Sequence, residues 1–184
     1  MTQNPEELAQ RIERLEARDE IRMLAHRYAL AVDTKNLDAL MSLFVEDVQV
    51  GKNARGRDAL RQWYTPVLAK FRSSIHQVSN HIIELKDAHN ASGVVYCRDE
   101  LEQDDGQWHV GVIQYWDDYQ RQDGRWLFRR RKLHRWYLVD ALTRPGRHVT
   151  TDERAGMPQP WLPDAWPSWG QFWEAWDTAG GGKA

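Results

Sequence analysis

The chain has 184 residues, 41% hydrophobic and 28% charged, with a formal net charge of −2. That length suffices for one domain with a buried core, and the interspersed charge leaves no basic footprint for nucleic acid. The single cysteine, Cys97, excludes an internal disulfide and offers no metal-ligand spacing.

The N-terminal residues Met1 to Glu7 lack the basic and apolar regions of a secretory signal. No apolar run approaches the ~18 residues of a membrane span. A cytoplasmic protein without a membrane or nucleic-acid partner is expected. The run Arg129-Arg130-Arg131-Lys132 falls inside a strand pattern and is expected to form a solvated strand face.

Glu6 to Val32 reads as a helix. Leu8, Ile12 and Leu15 begin an apolar stripe, which Ile21, Leu24, Ala25, Tyr28, Ala31 and Val32 continue at helical spacing. Tyr28 on that stripe reads as a core residue. Asp33 follows at the end, where a carboxylate gains nothing from the helix dipole; a turn through Asp33 and Asn36 accounts for it as well as a functional role does. Asn36 can cap a short helix from Leu37 to Phe44. Val45 to Val50 is a short strand. Asp58 to Phe71 is helical, with Pro66 predicting a kink or a break after Thr65.

From Ile75 the period changes to two. Four strands are predicted: Ile75–Leu85, Ser92–Gln103, Gln107–Arg121 and Arg125–Val139. Asp-Gly pairs at 105–106 and 123–124 mark hairpins. A helical N-terminal part and an antiparallel meander give the α+β class, and a long twisted sheet can curl over a helix to leave a pocket. In the first long strand, strict alternation puts His76, Val78, Asn80 and Ile82 on one face and Ile75, Gln77, Ser79, His81 and Ile83 on the other. His76 on a mostly apolar face suits a dry cavity with one titratable group. His81 reads as structural.

After Val139 the pattern stops. Arg144 to Arg147 reads as a loop and Met157 to Pro163 is proline-rich. Ser168 to Thr178 can form a short helix burying Trp169, Phe172, Trp173 and Trp176, and Gly180 to Gly182 frays. The expected division is a domain over 1–142 and a Trp/Pro-rich tail over 143–184. Of the ten tryptophans, those on the tail need a surface to cover, on the same barrel or on a neighbouring subunit.

Three stretches resemble the SnoaL-like branch of the nuclear-transport-factor-like superfamily: Tyr28 to Leu40 with Leu43 to Asp47, His76 to Glu84, and Tyr115 to Phe128 ending near Arg131. The resemblance implies a cone-shaped α+β barrel and a homo-oligomer, dimer or trimer. Lyases of that branch, among them scytalone dehydratase and bile-acid dehydratase, place an Asp at the end of the first helix and a His on the first long strand. Asp33 and His76 occupy those positions. A Tyr five residues before the Asp is matched by Tyr28, and a second Asp on the next strand by Asp99. The departures are Val32, where scytalone dehydratase has a Tyr, and Asp99 or Leu101, where it has a second His.

The implied activity is a cofactor-independent dehydratase acting on a small hydrophobic substrate, a polycyclic or aromatic hydroxy-ketone. His76 would be the base, Asp33 its orienting carboxylate, Tyr28 a donor to the developing oxyanion and Asp99 a positioning group or acid. Substrate contacts are expected from Val78 and Asn80 beside His76, from Phe44 and from Trp116. No metal and no cofactor are expected. The same fold also hosts ketosteroid-isomerase-like isomerases, small-molecule binding proteins and dioxygenase β-subunits.

Overall fold

In the computed structural model, the structure describes residues 4–103, 105–142, 151–152, 157–158 and 165–178. The expectations for the loop at 144–147, for most of the proline-rich stretch and for the glycine run at 180–182 lie outside these residues. Helix α1 runs Pro5–Asp33 and α2 Leu37–Ser42. The short strands β1 (Gln49–Val50) and β2 (Ala54–Arg55) pair with each other, and α3 spans Arg57–Ala69. The long strands are β3 (Phe71–Leu85), β4 (Asn90–Gln103), β5 (Trp108–Gln122) and β6 (Arg125–Asp140). The strand pair β7 (Thr151–Asp152) and β8 (Met157–Pro158) and the helix α4 (Pro167–Thr178) follow. Helix α3 continues through Pro66 rather than breaking after Thr65. No helix among the described residues is long and apolar enough to cross a membrane.

The sheet is an open antiparallel meander in the order β3-β4-β5-β6. Its β5–β6 hairpin has Asp123 and Gly124 at φ 50° and 77°, the two positive values that a type I′ turn needs. Helix α1 packs against both edge strands, β3 and β6, so it spans the open side of the curled sheet. Ile21, Leu24, Ala25, Tyr28, Ala31 and Val32 of α1 are buried with Val95, Ile113, Tyr115, Tyr119 and Phe128 of the sheet. The first half of α1 does not join this core. Leu8, Ile12 and Leu15 are 44%, 46% and 67% exposed.

Register decides which side chains reach the interior. The ladder aligns His76–Asp99–Gly111–Leu138 across the four strands, with Val78–Cys97–Ile113–Arg135 as the next inward row. Four irregularities break strict alternation, the first at the start of β3 between Phe71 and Ser73. Between Val78 and His81, β3 advances three residues while β4 advances two, from Cys97 to Val95. In β6, Arg129 and Trp136 are each an extra residue opposite β5. Each such bulge shifts the inward face by one position.

Candidate active site

Helix α1 ends in a Schellman turn: Asn36 N–H donates to Ala31 O (2.9 Å) and Lys35 N–H to Val32 O (3.0 Å), with Lys35 at φ 53°. The turn stops the helix just after Asp33 and leaves its carboxylate facing β3. There it accepts three hydrogen bonds. Ser74 Oγ donates to Oδ1 at 2.9 Å, His76 backbone N–H to Oδ2 at 2.8 Å, and His76 Nδ1–H to Oδ1 at 2.6 Å. Burial pushes the Asp33 carboxyl up, but the His76 ring and backbone donors, its imidazole charge and the Ser74 hydroxyl outweigh it and hold the carboxyl below its usual value.

An ionised carboxylate only accepts, so the Asp33 contact assigns the His76 proton to Nδ1 and leaves a lone pair on Nε2. Nε2 makes no hydrogen bond to the described residues. The His76 side chain is 8% exposed and lines a cavity of about 760 Å³ between α1, α3 and the sheet. Val32, Phe44, Leu60, Trp63, Leu68 and Leu133 supply its apolar wall. Phe44 is seated there by a backbone tie: Val45 N–H donates to Phe128 O (3.0 Å) and Phe128 N–H to Leu43 O (2.8 Å).

Asp99 is the cross-strand partner of His76, buried, and also lines the cavity. Its carboxylate lies over Gly111. A Cβ at 111 would fall 2.0 Å from Asp99 Oδ1, so only glycine leaves room for the acid in this position. His109, the other lining imidazole, meets the Gln103 amide (2.7 Å) instead of a carboxylate.

Tyr28, Tyr64 and Tyr115 also line the cavity, and the rings of Tyr28 and Tyr115 lie against a buried cation, Arg131. Tyr28 and Tyr64 hydroxyls are 3.1 Å apart. Arg131 lies 4.1–4.2 Å from the ring centres of Tyr28, Tyr115 and Phe128. Its guanidinium makes a two-pronged contact with Asp117 at 2.9 and 2.7 Å, and the two side chains are 3% and 0% exposed. Burial disfavours the Arg131 charge, yet the Asp117 carboxylate more than compensates and keeps it protonated. Tyr119 O–H donates to Asp117 Oδ2 (2.9 Å), and His81 Nε2 sits 3.0 Å from the Tyr119 hydroxyl. Burial raises the three cavity tyrosines, most of all Tyr64 and Tyr115, although Arg131 pulls the other way. They therefore remain hydrogen-bond donors at neutral pH. Burial also pushes the Cys97 thiol up to about 12, which leaves it inert. Among the described residues no group of three or more His, Cys, Asp or Glu could hold a metal ion.

The structure thus gathers Tyr28, His76, Asp99 and Phe44 on one cavity, with Asp33 directly behind His76. Four sequence expectations need correction. Asn80 is exposed and Ile82 is 61% exposed, because the bulge after Val78 swaps the faces; His81 and Ile83 turn inward instead. Val78 packs against the core rather than lining the cavity. Trp116 is on the opposite face of β5, stacked 4.2 Å from His134 and lining a shallow groove of about 420 Å³ with Ile82, Asp118 and Lys132. Arg131 is not on a solvated face. The extra residue Arg129 lets Phe128 and Arg131, three apart, both point inward. Sequence reading missed Ser74, Tyr64, Tyr115 and Arg131 as cavity groups. Ser74 two residues before His76 was the one available signal, since period two puts both on one face.

Residues 13–132 match the family model of the SnoaL-like domain. The chain belongs to the SnoaL-like family. No curated protein matches it significantly. Its fold recurs in solved structures. A candidate scytalone dehydratase from Novosphingobium aromaticivorans is 24% identical with TM-score 0.64, over 76% of this chain and 97% of that one. The LinA-type3 hexachlorocyclohexane dehydrochlorinase from Novosphingobium barchaimii is 22% identical with TM-score 0.63, over 73% and 99%. A Mycobacterium tuberculosis protein of unknown function is 26% identical with TM-score 0.57, over 74% and 86%. At these identities the likeness speaks for the SnoaL-like fold, and the chemistry has to be argued from the cavity.

Proposed function

We propose that the protein is a lyase, a dehydratase whose base is His76 and whose substrate is a hydrophobic polycyclic or aromatic hydroxy-ketone. The observation that carries this reading is the 2.6 Å contact between Asp33 and His76 Nδ1, which leaves Nε2 as the basic nitrogen on a largely apolar cavity. A pure binding protein has no use for an imidazole oriented this way. The solved neighbours named for a dehydratase and a dehydrochlorinase support the lyase class.

Nε2 takes a proton from the carbon next to the carbonyl, and the C–H electron pair moves onto the carbonyl oxygen. A hydroxyl of the Tyr28–Tyr64–Tyr115 cluster donates to that oxygen, and the nearby Arg131 guanidinium favours the negative charge. Asp33 stabilises the imidazolium that forms. The carbonyl then re-forms and the β-hydroxyl departs, taking its proton from His76 or from Asp99 and leaving as water. If the proton returns to a different carbon instead, the product is an isomer, and product analysis separates the two outcomes.

The test is His76→Ala. A positioned general base contributes about 10²–10⁴-fold, so turnover of a hydroxy-ketone should fall by at least that lower bound with the circular dichroism spectrum unchanged. A loss under about tenfold, roughly 1.4 kcal/mol of barrier, would remove His76 from the role of base.

A further inference from the structure

His76 shares the cavity wall with a second imidazole. His109 lines the same space, and so does Gln103 beside it. Register turns both inward. His109 pairs with Leu101 and stands two residues from Gly111, which lies in the row of His76 and Asp99. Gln103 stands two residues beyond Leu101 on β4, so the period of two puts it on the same face. We infer that Gln103 and His109 form a second subsite of this cavity, one that binds a ring hydroxyl of the ligand away from the carbon that meets His76.

The two side chains point to that group by what they leave unused. The Gln103 amide nitrogen lies 2.7 Å from His109 Nδ1 and 3.4 Å from Nε2. An amide nitrogen only donates, so Nδ1 accepts the short bond and the ring proton sits on Nε2. That is the opposite tautomer from His76, whose proton is on Nδ1. Among the described residues, His109 Nε2–H meets no acceptor and Gln103 Oε1 meets no donor. The pair therefore offers a ligand one donor and one acceptor. Turning the amide over exchanges the two roles and leaves the same offer. A hydroxyl answers both at once, whereas a carbonyl or carboxylate oxygen only accepts. Gln103 is 9% exposed, and an amide held this far from solvent is costly unless its hydrogen bonds are met. A ligand hydroxyl meets the one that His109 leaves open.

The placement suits a flat polycycle. Strands β3 and β5 are two intervals apart, and His109 is two residues along from the row of His76. The diagonal between the two Cα positions is at most roughly 12 Å, at about 4.8 Å per strand and 3.4 Å per residue. Both side chains enter the cavity from the ends of that diagonal, so a fused ring system can offer its C–H to His76 and its hydroxyl to His109. This hydroxyl is not the one that departs. It sets which end of the molecule meets the base.

The inference takes from the proposed reaction only that this cavity holds the ligand, and its test reads binding. Isothermal calorimetry on the full chain compares acetylnaphthalene with derivatives that carry a hydroxyl or a methoxy group on the far ring. None has a β-hydroxyl to lose. The hydroxyl compound should bind at least about fivefold tighter than the parent. The methoxy compound, which cannot donate, should bind no tighter than the parent. His109→Phe keeps a ring without nitrogens and should bring the hydroxyl compound within about twofold of the parent, while His109→Gln should keep part of the preference. Should His109→Phe fail to fold, Gln103→Met removes the amide instead and should shrink the preference as well. Equal binding of parent and hydroxyl compound, binding of none of the three, a methoxy compound as tight as the hydroxyl one, or a preference that survives His109→Phe in a folded protein would each overturn the subsite. His76→Ala should keep the preference. If it does so with turnover of a hydroxy-ketone undiminished, the base is refuted and the subsite stands; if the preference vanishes there, the subsite is refuted.

Discussion

The Asp33–His76 contact does two separable jobs. For folding, Asp33 is held below its unfolded value, so its contribution is complete above about pH 4 and is lost as pH falls through the folded value. For catalysis, the contact sets the tautomer. Asp33→Asn keeps the shape, but its amide can donate to Nδ1 and so favour the wrong tautomer; turnover should drop by about 10² or more, with little change in substrate affinity. His81 behaves in the opposite sense from an ion-paired histidine. Burial first, then the charges of Arg131, Arg22 and His26, lower it to about 4, while the unfolded chain takes up the proton near pH 6.5. Stability should therefore hold above pH 6.5 and decline as pH falls from 6.5 to 4. In His81→Gln that decline, read from urea midpoints, should be shallower. Strand alternation alone singled out His76, whereas Tyr28, Asp33 and Asp99 were readable as its companions only through a family constellation. One His and one Asp forty-three residues apart announce nothing by spacing.

Bulges, more than strands, decide what this sheet can do. The four strands and the Asp123–Gly124 turn follow from alternation and from residues that tolerate positive φ, and the sequence shows both. An extra residue has no such signature. The two side chains at the β3 bulge, Ser79 and Asn80, are polar and exposed, as they would be at many strand positions. The consequence is testable on Asn80. Asn80→Ala should change stability by less than about 0.5 kcal/mol, as a surface substitution does, and leave turnover alone. Deleting Asn80 restores strict alternation, which must expose either His76 or Ile83. The thermal midpoint should fall sharply and ligand binding should be lost. A deletion variant with native stability would mean that the bulge is not what turns His81 inward. The Arg129 bulge has the same standing, since it brings Arg131 to Asp117. Asp117→Asn strands that buried cation and should cost about 3–5 kcal/mol, measured by urea unfolding.

For the whole molecule, the open question is what the apolar surface outside the cavity is for. Helix α4 and the residue before it meet β6 through Trp169 and Trp166, whose rings lie 6.2 and 5.2 Å from Trp136. On α4, Phe172, Trp173 and Trp176 are 59%, 41% and 48% exposed in the single chain. Each aromatic of Phe size left in water forgoes about 1.5–3 kcal/mol, so a helix kept this way has a partner to gain. The described residues lining the cavity all precede Val139. A tail that served as a lid would place α4 side chains among them, and none is there. We propose that the tail serves subunit association rather than the pocket mouth. Truncation after Leu142 should shift the protein to a smaller species in sizing chromatography, while ligand affinity in the cavity stays within about threefold. The two readouts separate the alternatives. An unchanged elution volume with weakened binding would return the tail to the role of a lid, and a change in neither would leave α4 as packing for Trp136 alone.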